Sequence, residues 1–402
     1  MKENMRLADP RPVTAAGSYD VIVVGGGVAG IAAAVAAARS DMRVLLLEKG
    51  IILGGLATAG LISWYEPLCD GNGKKMIGGI SEELIRLSVQ YGFDDLPKEW
   101  KQSSPPANAS TRYATHFSPT MFALALDRFL LDNGVTIRLD CLAAYPVMEG
   151  SHCAGIVAEE KNGKSFFAAG CVVDATGDAQ ILHTAGMPTR LGENFLTYVA
   201  HRTSCELAAR LVESKNMAAF RKWEFCGSDL NGKGHPADRE LYLGETGQQI
   251  TDFVLAGRRL LFDKLCSEDR TTRDITMLPS MPQFRTIRHI VGDYVFTGCE
   301  EGRQFDNAIG SCGDFRSRGK HYQIPYSTLY HRRFDNMLAA GRIISASGDG
   351  WEITRVIPVA ALTGQAAGQA AALSIRSDVA VSDIDVHTLQ KQLADSGVLF
   401  VS

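Results

Sequence analysis

The strongest constraint on this chain lies between Tyr19 and Glu48. Tyr19–Val24 is a short β-branched run of the kind a central parallel strand needs. Gly25-Gly26-Gly27-Val28-Ala29-Gly30 follows at once. An alanine-rich stretch then predicts a helix over Ile31–Arg39, and Arg43–Leu47 predicts a second strand ending in Glu48. The glycines differ in what they allow. Gly25 permits the tight turn, Gly27 lets the backbone approach a pyrophosphate, and Gly30 lets the helix lie close on the strands. Val28 and Ala29 lead into the helix start, whose free N–H groups and partial positive charge favour phosphate. Glu48, 23 residues after Gly25, can accept hydrogen bonds from ribose hydroxyls and would repel a 2′-phosphate. Together these features predict a site for the ADP half of a dinucleotide.

At roughly 150 residues per domain, 402 residues suggest two or three compact units. Hydrophobic residues make up 46% and charged residues 21%, which excludes wholesale disorder. With 41 Lys plus Arg against 45 Asp plus Glu, no global basic field points to nucleic acid. The nine cysteines are odd in number and never spaced C-x-x-C. That argues against a disulfide framework, a metal site or a redox pair, and favours free thiols in the cytoplasm. The first 18 residues lack the apolar core of a signal peptide and are expected to form a flexible leader. Residues 21–38 and 357–375 imitate membrane spans. Four glycines in the first favour strand, turn and helix; small residues and two glutamines in the second favour a helix packed closely on protein or ligand. No membrane span is expected.

Three further blocks discriminate between cofactors. Gly54-Gly55-Leu56-Ala57-Thr58-Ala59-Gly60 supplies a second glycine turn just after the acidic residue, past which an extended FAD could thread. Cys171–Asp178 reads as a buried strand ending in the small-residue turn Ala175-Thr176-Gly177. Asn336–Arg342 is another short strand, ending at Gly341-Arg342, and it precedes Gly348–Pro358 and a small-residue helix through Ala372. With Arg285-x-x-Arg288, these blocks resemble the bacterial FAD-dependent oxidoreductases of the glutathione-reductase-like fold, over most of residues 19–375.

The resemblance implies an α/β fold: a Rossmann-like FAD-binding domain of the glutathione-reductase type with an inserted mixed α+β substrate domain. Residues 19–65, 113–190 and 325–402 would form the first, and 66–112 with 191–324 the second. By the same likeness, Gly25, Gly27, Gly30, Glu48 and Lys49 would hold the ADP moiety, and Gly54, Gly55 and Thr58 would lie beside the ribityl chain and flavin. Ala143 would contact adenine and Gly177 the adenosine. Arg342 stands where relatives often have an acid, and a phosphate contact suits a guanidinium. Arg355, Val356 and Ile357 would begin the last helix, with its N-terminus aimed at the flavin N1/C2 carbonyl.

The loop Gly54–Gly60 holds no cysteine, and no second strand–GxGxxG–helix unit follows. Electrons are therefore expected to pass directly between a small organic substrate and the flavin. Elsewhere, Ser81-Glu82-Glu83 predicts a helix N-cap with acids in its first turn, Ser103-Ser104-Pro105-Pro106 a loop, and Ser118-Pro119 the cap of a helix through Leu131. Eight Lys or Arg fall within residues 285–333, either a cationic pocket for an anionic substrate or a solvated basic face. Arg285 and Arg288 could fork-bind a carboxylate. Flavin dehydrogenation needs a group to take the substrate proton, for which His321, just before the chain re-enters the cofactor domain, leads and Tyr326 follows. Alternatives are a flavin monooxygenase using NAD(P)H and oxygen, a non-catalytic FAD-binding or RNA-modification partner, and an NAD dehydrogenase.

Overall fold

The computed structural model describes residues 11–101 and 111–401. Its main sheet is built on β1 (Val13–Val24), whose last four residues are buried apolar side chains. β1 leads through α1 (Val28–Ala38) to β2 (Val44–Leu47), parallel to it in the register Val24↔Leu47. The strand starts six residues before the predicted Tyr19. Residues 13–18, expected in a leader, are held by backbone pairing to residues 164–168 of a later strand, although their exposed side chains show no strand pattern.

α2 (Ile80–Gln90) and α3 (Pro119–Asp132) follow. Ser118 caps α3 as expected, accepting from Met121 N, which satisfies an otherwise unpaired helix-start amide. Ser81 does not cap α2. Gly79 takes that position, and the Ser81 hydroxyl sits buried, 3.1 Å from the Tyr65 hydroxyl. The predicted loop at Ser103–Pro106 lies outside the described residues.

Next come β3 (Thr136–Arg138), parallel to β2, and an antiparallel meander of β4 (Leu142–Glu149), β5 (His152–Glu160) and β6 (Gly163–Asp174). β6 returns alongside β1 in parallel over almost its whole length. Its other edge is shared: β5 pairs antiparallel with residues 163–168, and the late strand Met337–Ala339 pairs parallel with residues 172–174.

Between these blocks stands a second, smaller sheet. β7 (Thr197–Ser204) is flanked antiparallel by β8 (Lys222–Gly227) and β9 (Arg273–Met277), and α4 (Gly247–Cys266) covers one face. Its own apolar clusters bring together Tyr198, Ala200, Cys226 and Leu261, and Leu196, Phe253 and Phe284.

The chain then returns to the main sheet as β10 (Met337–Ala339). The long late helix α5 (Ile357–Ser377) packs on α1 through small residues. A Cβ on Gly364 or Gly368 would overlap the carbonyl oxygen of Ala29 or Ala33. That close approach explains two apolar helices with almost no exposed face. Among the described residues no helix is long and apolar enough to cross a membrane. All nine cysteines are free thiols, six of them buried. Burial pushes the Cys171 thiol up to about 12.

Candidate functional site

β1, β2, β6 and β10 end level with one another, at Val24, Leu47, Asp174 and Ala339. Glu48, Gly25-Gly26-Gly27, Ala175-Thr176-Gly177 and Gly341-Arg342 therefore emerge together at the carboxyl end of a parallel sheet, where ligand crevices of α/β proteins form. Gly25, at φ 102°, turns the chain there, and a Cβ on Gly30 would overlap the Gly25 carbonyl oxygen. Gly27 differs: no heavy atom lies within 4 Å of where its Cβ would be. It is also the N-cap of α1, with no side chain bonded to the helix-start amides. An open face beside free N–H groups is a cradle for an anion.

Glu48 tightens this cradle. Its two oxygens accept from Gly26 N and Gly50 N, both at 2.7 Å. Lys49 beside it is exposed. The second glycine turn docks onto the first, with Gly54 N donating to Gly26 O at 2.8 Å. Thr58, buried, donates its hydroxyl to Leu53 O at 2.5 Å, while Gly55 and Leu56 remain half-buried and Ala57 is buried. Ala143, at the start of β4, follows a loop whose Asp140 and Cys141 amides bond to Gly50 O and Glu48 O. Asp174 holds the third turn, accepting from Thr176, Ile181 and Leu182. Burial pushes its carboxyl up to about 6 despite these bonds.

Further along, guanidinium groups collect. Arg342 donates from Nε to Gly177 O at 2.6 Å, and burial lowers its pKa to about 10, with Asp178 opposing and Arg355 adding to the shift. Arg355 bonds Glu352 at 2.5 Å through Nη2, while its buried Nε has no partner. Arg285, lowered by burial and by Arg355, makes no hydrogen bond with its guanidinium among the described residues. The buried Oδ1 of Asp178 is likewise unpartnered. Beside this group a cavity of about 390 Å³ is lined by Thr286, Trp351, Glu352 and Leu191.

Arg355 ends the short helix Asp349–Thr354 rather than starting α5, whose N-cap is Val356. The first amide of α5, Ile357 N, donates to Glu66 Oε2 at 3.3 Å. Burial pushes Glu66 up to about 7, against the pull of Arg355 and the Ile357 amide. Sequence patterning lends Glu66 no distinction, since a single acid in an apolar stretch carries no spacing signal.

Three of the other sequence-derived candidates are differently placed. Arg288 is buried and committed, donating to Glu245 at 2.8 Å and to Asp178 O at 3.2 Å. Tyr326 is fully buried and donates its hydroxyl to Val381 O at 2.7 Å, and burial drives its pKa well above the ordinary value. His321 stands half-buried on the strand His321–Pro325, its Nδ1 3.4 Å from Gly319 O, with no bond to the groups around Arg355.

A known family, described as FAD dependent oxidoreductase, matches residues 20–224 and 245–393. The chain belongs to that family. The enzyme is therefore an oxidoreductase, and its cofactor is FAD. It is 25% identical to a thioredoxin reductase of Peptoclostridium litorale over 260 residues, 59% of this chain and 71% of that protein. A thioredoxin reductase of Bacillus subtilis is 30% identical over 78 residues, 19% of this chain and 25% of that protein. In fold it is similar to a p-nitrophenol 4-monooxygenase of Pseudomonas putida, with TM-score 0.51 at 11% identity, covering 94% of this chain and 84% of the other.

The groups present fit FAD. The cradle at Gly27 suits a pyrophosphate, Glu48 suits ribose hydroxyls, and the unpartnered Arg355 Nε and Asp178 Oδ1 offer a buried donor and a buried acceptor to a polar ligand.

Proposed function

We propose that this oxidoreductase has the glutathione-reductase type of cofactor fold and moves a hydride between a small organic substrate and the flavin N5. The observation that carries the reading is the guanidinium group at the carboxyl end of the sheet. Arg285, Arg342 and Arg355 gather there among Glu352, Asp178, Asp229 and Glu66, yet the Arg285 guanidinium makes no hydrogen bond among the described residues and the buried Arg355 Nε has no partner, so donors stand ready for a polar ligand. Gly25, Gly27, Val28, Ala29, Gly30 and Glu48 would hold the adenosine diphosphate end, with Lys49, Ala143, Ala175, Thr176 and Gly177 nearby. Gly54 to Thr58, Gly341, Arg342, Arg355, Val356 and Ile357 would hold the ribityl and flavin end.

When bound, FAD supplies a two-electron acceptor. Arg355 and the α5 N-terminus stabilise negative charge beside it. Glu66, whose carboxyl is pushed up to about 7 by burial and whose Oε2 accepts from the Ile357 amide, holds or releases a proton. The three-stranded sheet covers the substrate side and excludes water. No cysteine of the glycine turns can relay electrons, which supports direct transfer. Anaerobic screening of metabolite pools for bleaching of the bound flavin tests the reading. Bleaching by a small molecule, reversed by an added acceptor, is expected; a flavin that no metabolite reduces would overturn it.

A further inference from the structure

The face of the three-stranded sheet opposite α4 carries an unusual set of side chains. Along β7 and β8 one set of alternate residues turns toward α4: Tyr198, Ala200, Cys226, and Glu224 in ion pairs with Arg202 and Lys264. The other set includes His201, paired across the strands with Trp223, and it meets the loop that leaves the second glycine turn. His201 is fully buried, its Nε2 3.2 Å from Leu61 O and 3.5 Å from Ser63 Oγ. Trp223 Nε1 donates to that same Ser63 hydroxyl at 3.2 Å.

Arg221 stands at the edge of this face, just before β8. Its guanidinium donates to His201 Nδ1 at 3.0 Å and to Phe117 O at 2.6 Å, and it lies 5.3 Å over the Phe93 ring. All of these partners are neutral. Burial and the Arg221 charge lower the His201 pKa to about 3, so that ring carries no charge. No carboxylate pairs with Arg221 among the described residues, and burial alone lowers its own pKa to about 10. Arg221 is half-buried, and a partly desolvated charge without a carboxylate partner gains when a ligand brings the counter-charge. Rings continue along the sheet face from His201 and Trp223: His116 lies edge-on to Trp223 at 5.8 Å, with its Nδ1 3.2 Å from Asp95 Oδ2, and Trp64 is 6.4 Å from His116.

We propose that Arg221 anchors the carboxylate of the substrate, with Phe93, Trp64, His116 and Trp223 covering a planar apolar body. This rests on the reading of the chain as an oxidoreductase of small organic molecules, and it names their class: aromatic or conjugated carboxylic acids. A guanidinium offers a carboxylate two parallel N–H donors, and ring faces favour both the cation and a flat ligand. His201, kept neutral and bonded to a main-chain carbonyl through Nε2, fixes the orientation of the guanidinium and is a positioning residue.

The FAD-loaded protein is titrated with benzoate, and binding is read both by the bound-flavin absorption spectrum and by calorimetry. Benzamide serves as the neutral look-alike, and Arg332→Gln, an exposed arginine paired with Asp293, as the control. Benzoate should bind and benzamide should not, and Arg221→Gln should weaken benzoate at least about tenfold, as loss of a charge-assisted bond predicts. If Arg221→Gln loses FAD or fold, Arg221→Lys, which keeps the charge but not the fork, should show the weakening instead. Equal binding of benzoate and benzamide, or undiminished benzoate binding in the folded Arg221 variants, would overturn the proposal. The calorimetric arm needs no flavin. A wild-type protein that binds benzoate but is never reduced by a metabolite would sink the reaction and leave the anchor standing.

Discussion

At the scale of single residues, Glu66 sets a pH dependence. It is buried between Arg355 and the first amide of α5, and its proton is held up to about pH 7 against an ordinary 4.5. A carboxyl raised in the folded state stabilises fully below its unfolded pKa and loses that advantage as pH rises through its folded one. Glu66→Gln removes the penalty of ionising this group. In denaturant melts the variant should match wild type near pH 4.5 and exceed it by on the order of 1–3 kcal/mol at about pH 8. The same change should flatten any inflection near neutrality in the rate of flavin reduction. A wild-type profile in both measurements would remove Glu66 from its assigned place. Gly27 gives a cleaner separation of binding from folding, because an added Cβ meets no heavy atom within 4 Å there. Gly27→Val should keep the circular dichroism and melting point of the FAD-free protein while flavin content after purification falls to near zero. Full flavin content would contradict the cradle. The glycines were legible in the sequence because their role is local and dictated by spacing. Glu66, His201 and Arg221 were not, because each owes its environment to a segment far along the chain: α5, Leu61 and Phe117.

At the scale of elements, the packing of α5 on α1 is the contact with least tolerance. Gly364→Val would drive a branched side chain into the Ala29 carbonyl, and the helix start that faces the cofactor would shift with it. A loss of several kcal/mol or insoluble expression is expected, whereas Ala372→Gly, farther along α5, should cost only about 2 kcal/mol, from helix propensity and one buried methyl. Equilibrium unfolding of the two variants makes the comparison. Both helices were readable from their small-residue runs, and β2 from an apolar run bounded by charge. The start of β1 was not, since residues 13–18 are extended only because β6 pairs with them. Ser81 misled for a related reason: a serine followed by two acids is a cap signal only when its hydroxyl is free, and here it faces Tyr65.

At the scale of the whole molecule, the cofactor groove is assembled from four strand ends far apart in sequence, and a ligand that binds only the assembled form must stabilise it. At a thousandfold excess over its Kd, FAD should add about 4 kcal/mol, seen as a melting point that climbs with FAD concentration. A melting point indifferent to FAD would contradict a groove built this way. The architecture also bears on how the chain is made. α1 is finished by residue 38, yet the surface that covers it, α5, and the strand that completes the free edge of β6 are translated about 300 residues later, after residue 336. Until then a nascent polypeptide presents an uncovered strip of alanine and valine and a half-paired strand to the ribosome's surroundings. Such long-range closure is slow. A holdase engaged at the exit tunnel, or a pause in translation ahead of α5, would govern yield more than any later step.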